Sequence, residues 1–132
     1  MKPNLGRVLV VDDDPHVLRA CTRMLQYEGW SVVAVEHGRA GVVAIRDSRE
    51  PFDVVVCDVN MPELDGIGFV RAIKAKNETR KIPVIFLTAS NDPRHMVDGI
   101  NVGARFYLTK PFEMNELVWK INRVLSANGS GR

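Results

Sequence analysis

Five polar side chains stand at or just after the ends of short apolar runs in the sequence: Asp12, Asp13, Asp58, Thr88 and Lys110. If those runs are parallel strands, their carboxyl ends lie on one edge of a sheet, which brings the five side chains together. Three carboxylates at one edge repel each other and raise at least one pKa. A hard divalent cation such as Mg²⁺, which prefers oxygen ligands, would relieve that repulsion.

Such a site combines the parts that phosphoryl transfer needs. One carboxylate can act as the nucleophile, and a metal ion can bridge phosphoryl oxygens. The compact cation of Lys110 can pair with a carboxylate or with an incoming phosphoryl oxygen, and Thr88 offers a hydroxyl donor. The residue types therefore predict chemistry in which positioning and charge neutralisation do most of the catalysis.

The apolar runs that must position these residues alternate with helical patterns. Runs rich in β-branched residues predict strands at 7–11, 31–35, 52–57, 83–87 and 106–108. Apolar residues at helical spacing predict helices at 15–28, 38–46, 66–76, 93–102 and 113–126. Asp14 and Pro15 are suited to begin the first helix, and Gly29 is suited to end it.

Strands that alternate with helices predict βαβ units, and therefore an α/β fold with a parallel sheet covered on both faces. The 132 residues fit one domain, which we expect at 1–126, followed by a flexible tail at 127–132. The formal charge of +2 and the absence of a basic run give no indication of nucleic-acid binding. The apolar runs are too short to span a membrane, and the N-terminus does not resemble a secretory signal. Cys21 and Cys57 are expected to be buried thiols in a reducing cytoplasm.

Four motifs together resemble the receiver domain of bacterial two-component response regulators. They are Asp12-Asp13 after VLVV, Asp58 within DVNMPELDG, Thr88-Ala89 after PVIFL, and Lys110-Pro111-Phe112 after FYLT. The resemblance extends over about residues 7–125. It implies a flavodoxin-like, doubly wound (βα)5 fold with strand order 2-1-3-4-5.

The resemblance also implies roles for individual residues. Asp58 would be the phosphoacceptor, and Asp13, Asp58 and the main-chain carbonyl of Asn60 would bind Mg²⁺ or Mn²⁺ directly. Asp12 would act on the metal mainly through water. Lys110 would bind phosphoryl oxygens and precede a cis peptide bond.

Two residues would respond to the phosphoryl group, and two others would tune the rate at which it is lost. Thr88 would move toward it, and Tyr107 would rotate into the space that Thr88 leaves. Asn60 and Ser90 stand at the positions where the family tunes the rate of dephosphorylation.

The partners that the resemblance implies are a sensor histidine kinase or phosphotransfer protein, and a downstream protein partner or output domain. We expect no turnover of a separate substrate, no direct nucleic-acid binding and no membrane association. The family often pairs through the fourth helix, the fifth strand and the fifth helix. Phe106 and Trp119 lie in that region, so a homodimer through it is an expectation.

Simpler interpretations stay open for each residue. The Asp12-Asp13 pair could serve only to cap a helix, Asp58 could form a local turn, and Lys110 and Thr88 could be ordinary strand-end residues. Tyr107 could be a fixed aromatic. Two other functions compete: a receiver-like interaction module that is never phosphorylated, and a small aspartate-based phosphatase. The phosphatase needs a DxD pattern with its nucleophile on the first strand, and usually a substrate-capping domain. Here the isolated acid, Asp58, follows the third strand, and we expect no capping domain.

Overall fold

The structure, a computed structural model, describes residues 5–61, 63–89 and 101–127. These residues contain five strands: β1 (Gly6–Val11), β2 (Trp30–Val35), β3 (Val54–Asp58), β4 (Val84–Thr88) and β5 (Phe106–Thr109). They also contain four helices: α1 (Pro15–Glu28), α2 (Gly38–Asp47), α3 (Gly66–Lys74) and a C-terminal helix (Met114–Ala127).

All neighbouring strands pair in parallel, in the order β2-β1-β3-β4-β5. The predicted α/β fold and strand order are therefore confirmed. The three central strands are buried along most of their length because helices cover both faces of the sheet, which is why they read as continuous apolar runs.

The sheet divides the core into two clusters. One lies between the sheet and the helices α1 and C-terminal, and it includes Leu18, Cys21, Leu117 and Ile121. The other lies on the α2 and α3 side and is built around Phe69 and Phe86. Two separate apolar layers fix the sheet from both faces, so the strand ends are held in a constant relation to one another.

Local sequence explains where the first helix begins and ends. The Asp14 side chain accepts a hydrogen bond from the N–H of His16 (2.9 Å), and Pro15 occupies the first turn. Gly29 ends the helix in the left-handed conformation at φ 110°. These three predictions are confirmed.

The predicted boundaries differ from the observed ones by one or two residues. The largest differences are in the third helix, which ends at Lys74 rather than at 76, and in the third strand, which begins at Val54 rather than at 52. After Lys74 the chain turns, and the Lys74 ammonium donates to the carbonyls of Arg80 and Ile82 (2.8 and 3.0 Å). Most of the predicted helix at 93–102 and most of the predicted tail lie outside the described residues.

Both cysteines are buried free thiols, as predicted. Within the part of the chain that the structure describes, no helix is both long and apolar enough to cross a membrane.

Candidate functional site

The parallel sheet brings the predicted site residues to one edge. Asp58 and Thr88 are the last residues of β3 and β4, and Asp12 and Lys110 directly follow β1 and β5. Main-chain hydrogen bonds continue past the strand ends: Asp12 N–H donates to the Val35 carbonyl (3.2 Å), and Lys110 N–H donates to that of Thr88 (2.8 Å). The backbone therefore fixes the side chains of this edge relative to one another.

Three carboxylates form a cluster at this edge. Asp12, Asp13 and Asp58 each offer one oxygen atom, and these atoms lie within 4.8 Å of one another. Asp12 is fully buried and Asp58 is only 4% exposed, whereas Asp13 is exposed. The cluster is thus a pocket with two acids at its floor and one at its solvent side.

Lys110 supplies the compensating positive charge. Its Nζ atom lies 2.8 Å from Oδ2 of Asp12 and 3.6 Å from Oδ1 of Asp58. The other oxygen of Asp12 accepts a hydrogen bond from the N–H of Asp14 (2.9 Å). Lys110 is therefore closer to Asp12 than to Asp58, which keeps one buried acid neutralised.

The electrostatics of the site leave Asp58 only partly compensated. The pKa of Asp58 is raised to about 6, first by burial and then by the charge of Asp12, while the Lys110 cation and the Asn60 backbone oppose the rise. Burial by itself would lower the pKa of Lys110, but the carboxylates, first of all Asp12, outweigh burial and raise that pKa. The site contains more negative than positive charge.

The residues present fit a divalent cation. The Oδ2 atom of Asp12 is buried and lies 2.8 Å from Nζ of Lys110, but it accepts no well-aligned hydrogen bond from the described residues. A cluster of hard carboxylate oxygens with an exposed member is the donor set that Mg²⁺ takes, since Mg²⁺ keeps several waters. Asp13 gives such a hydrated ion a route from solvent.

The structure describes three of the four other predicted site residues. Thr88 is buried at the end of β4, and Asn60 is exposed two residues beyond Asp58. Tyr107 is half-buried, with its ring 5.5 Å from that of Phe86. Ser90 lies outside the described residues. The motion predicted for Thr88 and Tyr107 stays a prediction.

Two glycines shape the site in a way that the sequence did not indicate. A Cβ on Gly66 would lie 2.2 Å from the main-chain oxygen of Asp58, and a Cβ on Gly38 would lie 2.6 Å from that of Leu64. Both positions begin a helix that packs against the loop after Asp58. Each glycine directly follows the capping residue of its helix, His37 or Asp65. A glycine inside the first turn, which costs helix stability relative to Ala, is the signal that could have identified them.

Comparison with known proteins identifies the family. The family model for the response regulator receiver domain matches residues 8–122. Protein PilH of Pseudomonas aeruginosa is 38% identical over 122 residues, which cover 92% of this chain and 99% of PilH. The transcriptional regulatory protein PrrA of Mycobacterium tuberculosis is also 38% identical, and the alignment covers 94% of this chain. This chain spans about half the length of PrrA (52%) and of similar curated regulators.

A solved structure adds a metal to the comparison. The receiver domain of the sensor histidine kinase PA1611 from Pseudomonas aeruginosa has a magnesium ion coordinated in its active-site cleft. It superimposes with a TM-score of 0.83 at 30% identity, covering 92% of this chain and 98% of the other. The strand order, the strand-end acid cluster with its lysine, and these matches agree: the chain belongs to the response regulator receiver domain family.

Proposed function

We propose that Asp58 is the phosphoacceptor of this receiver domain and that a Mg²⁺-dependent phosphoryl group on it switches the domain. The observation that carries the proposal is the arrangement around Asp58. Two further carboxylates and one lysine converge on it at the carboxyl edge of the sheet, with Nζ of Lys110 3.6 Å from its Oδ1. An interaction module that is never phosphorylated has no need for so much uncompensated charge.

The residues that would hold the metal are Asp13, Asp58 and the main-chain carbonyl of Asn60, with Asp12 acting mainly through water. Mn²⁺, which also takes oxygen ligands, would serve in place of Mg²⁺. When bound, the ion supplies positive charge to the phosphoryl oxygens and to the carboxylates. Lys110 already pairs with Asp12, which supports an indirect role for that acid.

The transfer itself requires little from the protein beyond positioning. A carboxylate oxygen of Asp58 attacks the phosphorus of a phosphohistidine, the P–N bond breaks, and the released imidazole nitrogen takes up a proton. The product is an acyl phosphate. The Lys110 ammonium neutralises charge that develops on the phosphoryl oxygens.

The response would begin at β4 and β5. The hydroxyl of Thr88 donates to the new phosphoryl oxygens, and Tyr107 moves inward into the space that Thr88 leaves. Tyr107 packs at the edge of the core beside Phe86, so a change of its rotamer alters the surface next to β5. Asn60 and Ser90 would set how easily water reaches the acyl phosphate.

The partners follow from this role. A sensor histidine kinase or phosphotransfer protein would supply the phosphoryl group, and a downstream protein or output domain would read the switched surface. We further propose a cytoplasmic location, which the two free thiols support. The chain would act through protein contacts, without binding nucleic acid and without turning over a separate substrate. Pairing through the region around β5 and the C-terminal helix would form a homodimer.

A metal titration tests the proposal. Asp13→Asn should weaken Mg²⁺ binding and slow labelling by acetyl phosphate together, by roughly 10-fold or more, because it removes a charged ligand. Asp14→Asn is the matched control, because Asp14 caps α1 through an interaction that an amide can also make. Rapid labelling of the wild-type protein in the presence of a chelator of divalent ions would refute the proposed site.

A further inference from the structure

The loop at 59–65, which follows Asp58, is fixed at both ends. At the strand end, the N–H of Gly66 donates to the carbonyl of Val59 (2.8 Å). At the helix end, Oδ1 of Asp65 accepts from the N–H of Gly68 (2.8 Å) and caps α3. The position of Asn60 therefore also depends on what supports the loop between these two anchors.

Helix α2 provides that support from outside. Its first residue, Gly38, is buried and packs so closely that a Cβ there would lie 2.6 Å from the Leu64 carbonyl oxygen. The next residue, Arg39, places Nε 3.9 Å from Oε2 of Glu63. Glu63 has a left-handed backbone at φ 65°, which L-residues adopt only when neighbouring structure holds them there.

We infer that Gly38 is a positioning residue for the phosphoacceptor loop. By lacking a side chain, it lets the first turn of α2 lie directly against the Leu64 backbone. This contact fixes Leu64 while the Val59–Gly66 hydrogen bond fixes the strand end, and together they position the Asn60 main chain, two residues beyond Asp58. The inference rests on the proposed function, because it is through Asn60 that the contact reaches the metal site.

The obstacle that a side chain would meet distinguishes this role from ordinary packing. An Ala at 38 would push against a main-chain oxygen, which can move only if the loop moves. Gly41 lies one turn further along the same buried face of α2 and is the matched control. A Cβ on Gly41 would lie 2.8 Å from Cε1 of Phe69 and 3.2 Å from Cγ2 of Val11, which are side-chain atoms of the core.

The test compares Gly38→Ala with Gly41→Ala. Calorimetric titration with Mg²⁺ should show roughly 10-fold weaker binding for Gly38→Ala, the loss that is usual when the support of a metal ligand is removed. Gly41→Ala should lower thermal stability and leave the Mg²⁺ affinity unchanged. In metal-free protein, the amide resonances of Asn60 and Leu64 should shift in Gly38→Ala and stay in place in Gly41→Ala.

Equal Mg²⁺ affinity of Gly38→Ala and the wild type would overturn the inference, and so would an equal loss in both variants. If Gly38→Ala does not fold, the titration is repeated in trimethylamine N-oxide, an osmolyte that favours the folded state. The variant should again bind Mg²⁺ more weakly than the wild type under the same conditions, and an equal affinity would overturn the inference. A wild-type protein that binds no Mg²⁺ would instead refute the proposed function on which the inference rests.

Discussion

At the scale of single residues, the site is organised around an acid whose ionisation is costly. Asp58 is almost completely buried, stands beside Asp12, and is 3.6 Å from a lysine that is closer to Asp12. Its pKa is raised to about 6, so the folded protein favours the neutral carboxyl more than the unfolded chain does. The excess negative charge that favours cation binding therefore lowers the stability of the protein when no cation is bound.

Asp58→Asn should therefore stabilise the metal-free protein at neutral pH. A folded-state pKa of about 6, against the ordinary value of 3.8, means that the stability from Asp58 is fully present below pH 3.8 and is lost as the pH rises through about 6. We expect the free energy of unfolding of the variant to exceed that of the wild type by about 3 kcal/mol at pH 7 and by little at pH 4. Urea unfolding at both pH values, in the presence of a chelator, measures this difference.

The exposed Asp47→Asn substitution is the control, and it should not reproduce the gain. Saturating Mg²⁺ should reduce or reverse the advantage of Asp58→Asn, because only the wild type offers all three carboxylates. A difference that is the same at pH 4 and pH 7 would contradict this view of the site.

The two thiols give a second prediction at this scale. Burial raises the pKa of Cys21 to about 12, with a further contribution from Asp12, and burial also raises the pKa of Cys57. Neither thiol should react with a disulfide reagent in the native protein at pH 8, whereas both should react at once in guanidinium. Rapid labelling of the native protein would show that one of the layers beside the sheet is open.

At the scale of elements, the strands position the acids, and the first residues of α2 and α3 position the loop that connects β3 to α3. Gly66 begins α3 so close to β3 that a Cβ would lie 2.2 Å from the Asp58 oxygen and 2.8 Å from Val59 Cα. Both of these are backbone atoms of the segment that contains Asp58. The geometry of Asp58 therefore depends on a helix start as well as on its own strand.

Gly66→Ala should cost about 3 kcal/mol or more in the free energy of unfolding, because the new atom overlaps backbone that cannot yield separately. Gly68→Ala is the matched control in the same helix. Its Cβ would meet Cδ1 of Leu64 at 2.8 Å, which is the end of a flexible side chain. Denaturant unfolding should show a much smaller loss of stability for Gly68→Ala than for Gly66→Ala. Equal losses would contradict the argument.

Patterns in the sequence predicted the elements better than the contacts between them. The alternation of β-branched runs and helical spacing is local, so the order of the strands and helices along the chain could be predicted from it. The collection of Asp12, Asp58 and Lys110 at one edge followed from the parallel arrangement. The seating of Gly38 against Leu64 could not be predicted, because it depends on how two distant segments approach. From the sequence alone, Gly38 indicates only a less stable helix.

At the scale of the whole molecule, β5 connects the acid cluster to a candidate partner surface, because Lys110 directly follows this strand and Phe106 begins it. Trp119 on the C-terminal helix is 56% exposed, and the cations of Lys120 and Arg123 lie 5.7 and 5.4 Å from its ring. Lys120 also lies 5.1 Å from the ring of Phe106 on β5. Tyr107 follows Phe106 directly, so a change at Tyr107 would reach this surface.

If the proposed homodimer forms through this surface, a phosphoryl mimic should shift the protein to a dimer. We expect light scattering to show a larger mass after addition of beryllofluoride and Mg²⁺. Trp119→Ala should remain monomeric while it still binds the mimic, because Trp119 is not part of the acid cluster. The control is Tyr27→Ala, which removes an exposed aromatic ring from a different helix, α1. This variant should dimerise. Unchanged mass of the wild type would contradict dimerisation by this route.

We propose that Asp58 carries the phosphoryl group. Intact and peptide mass spectrometry after incubation with acetyl phosphate tests this assignment. With Mg²⁺, the wild-type protein should gain the mass of one phosphoryl group, located in the peptide that contains Asp58. Asp58→Asn, treated in the same way, should gain none. Equal labelling of the two proteins, or a phosphoryl group located on any other residue, would contradict the account.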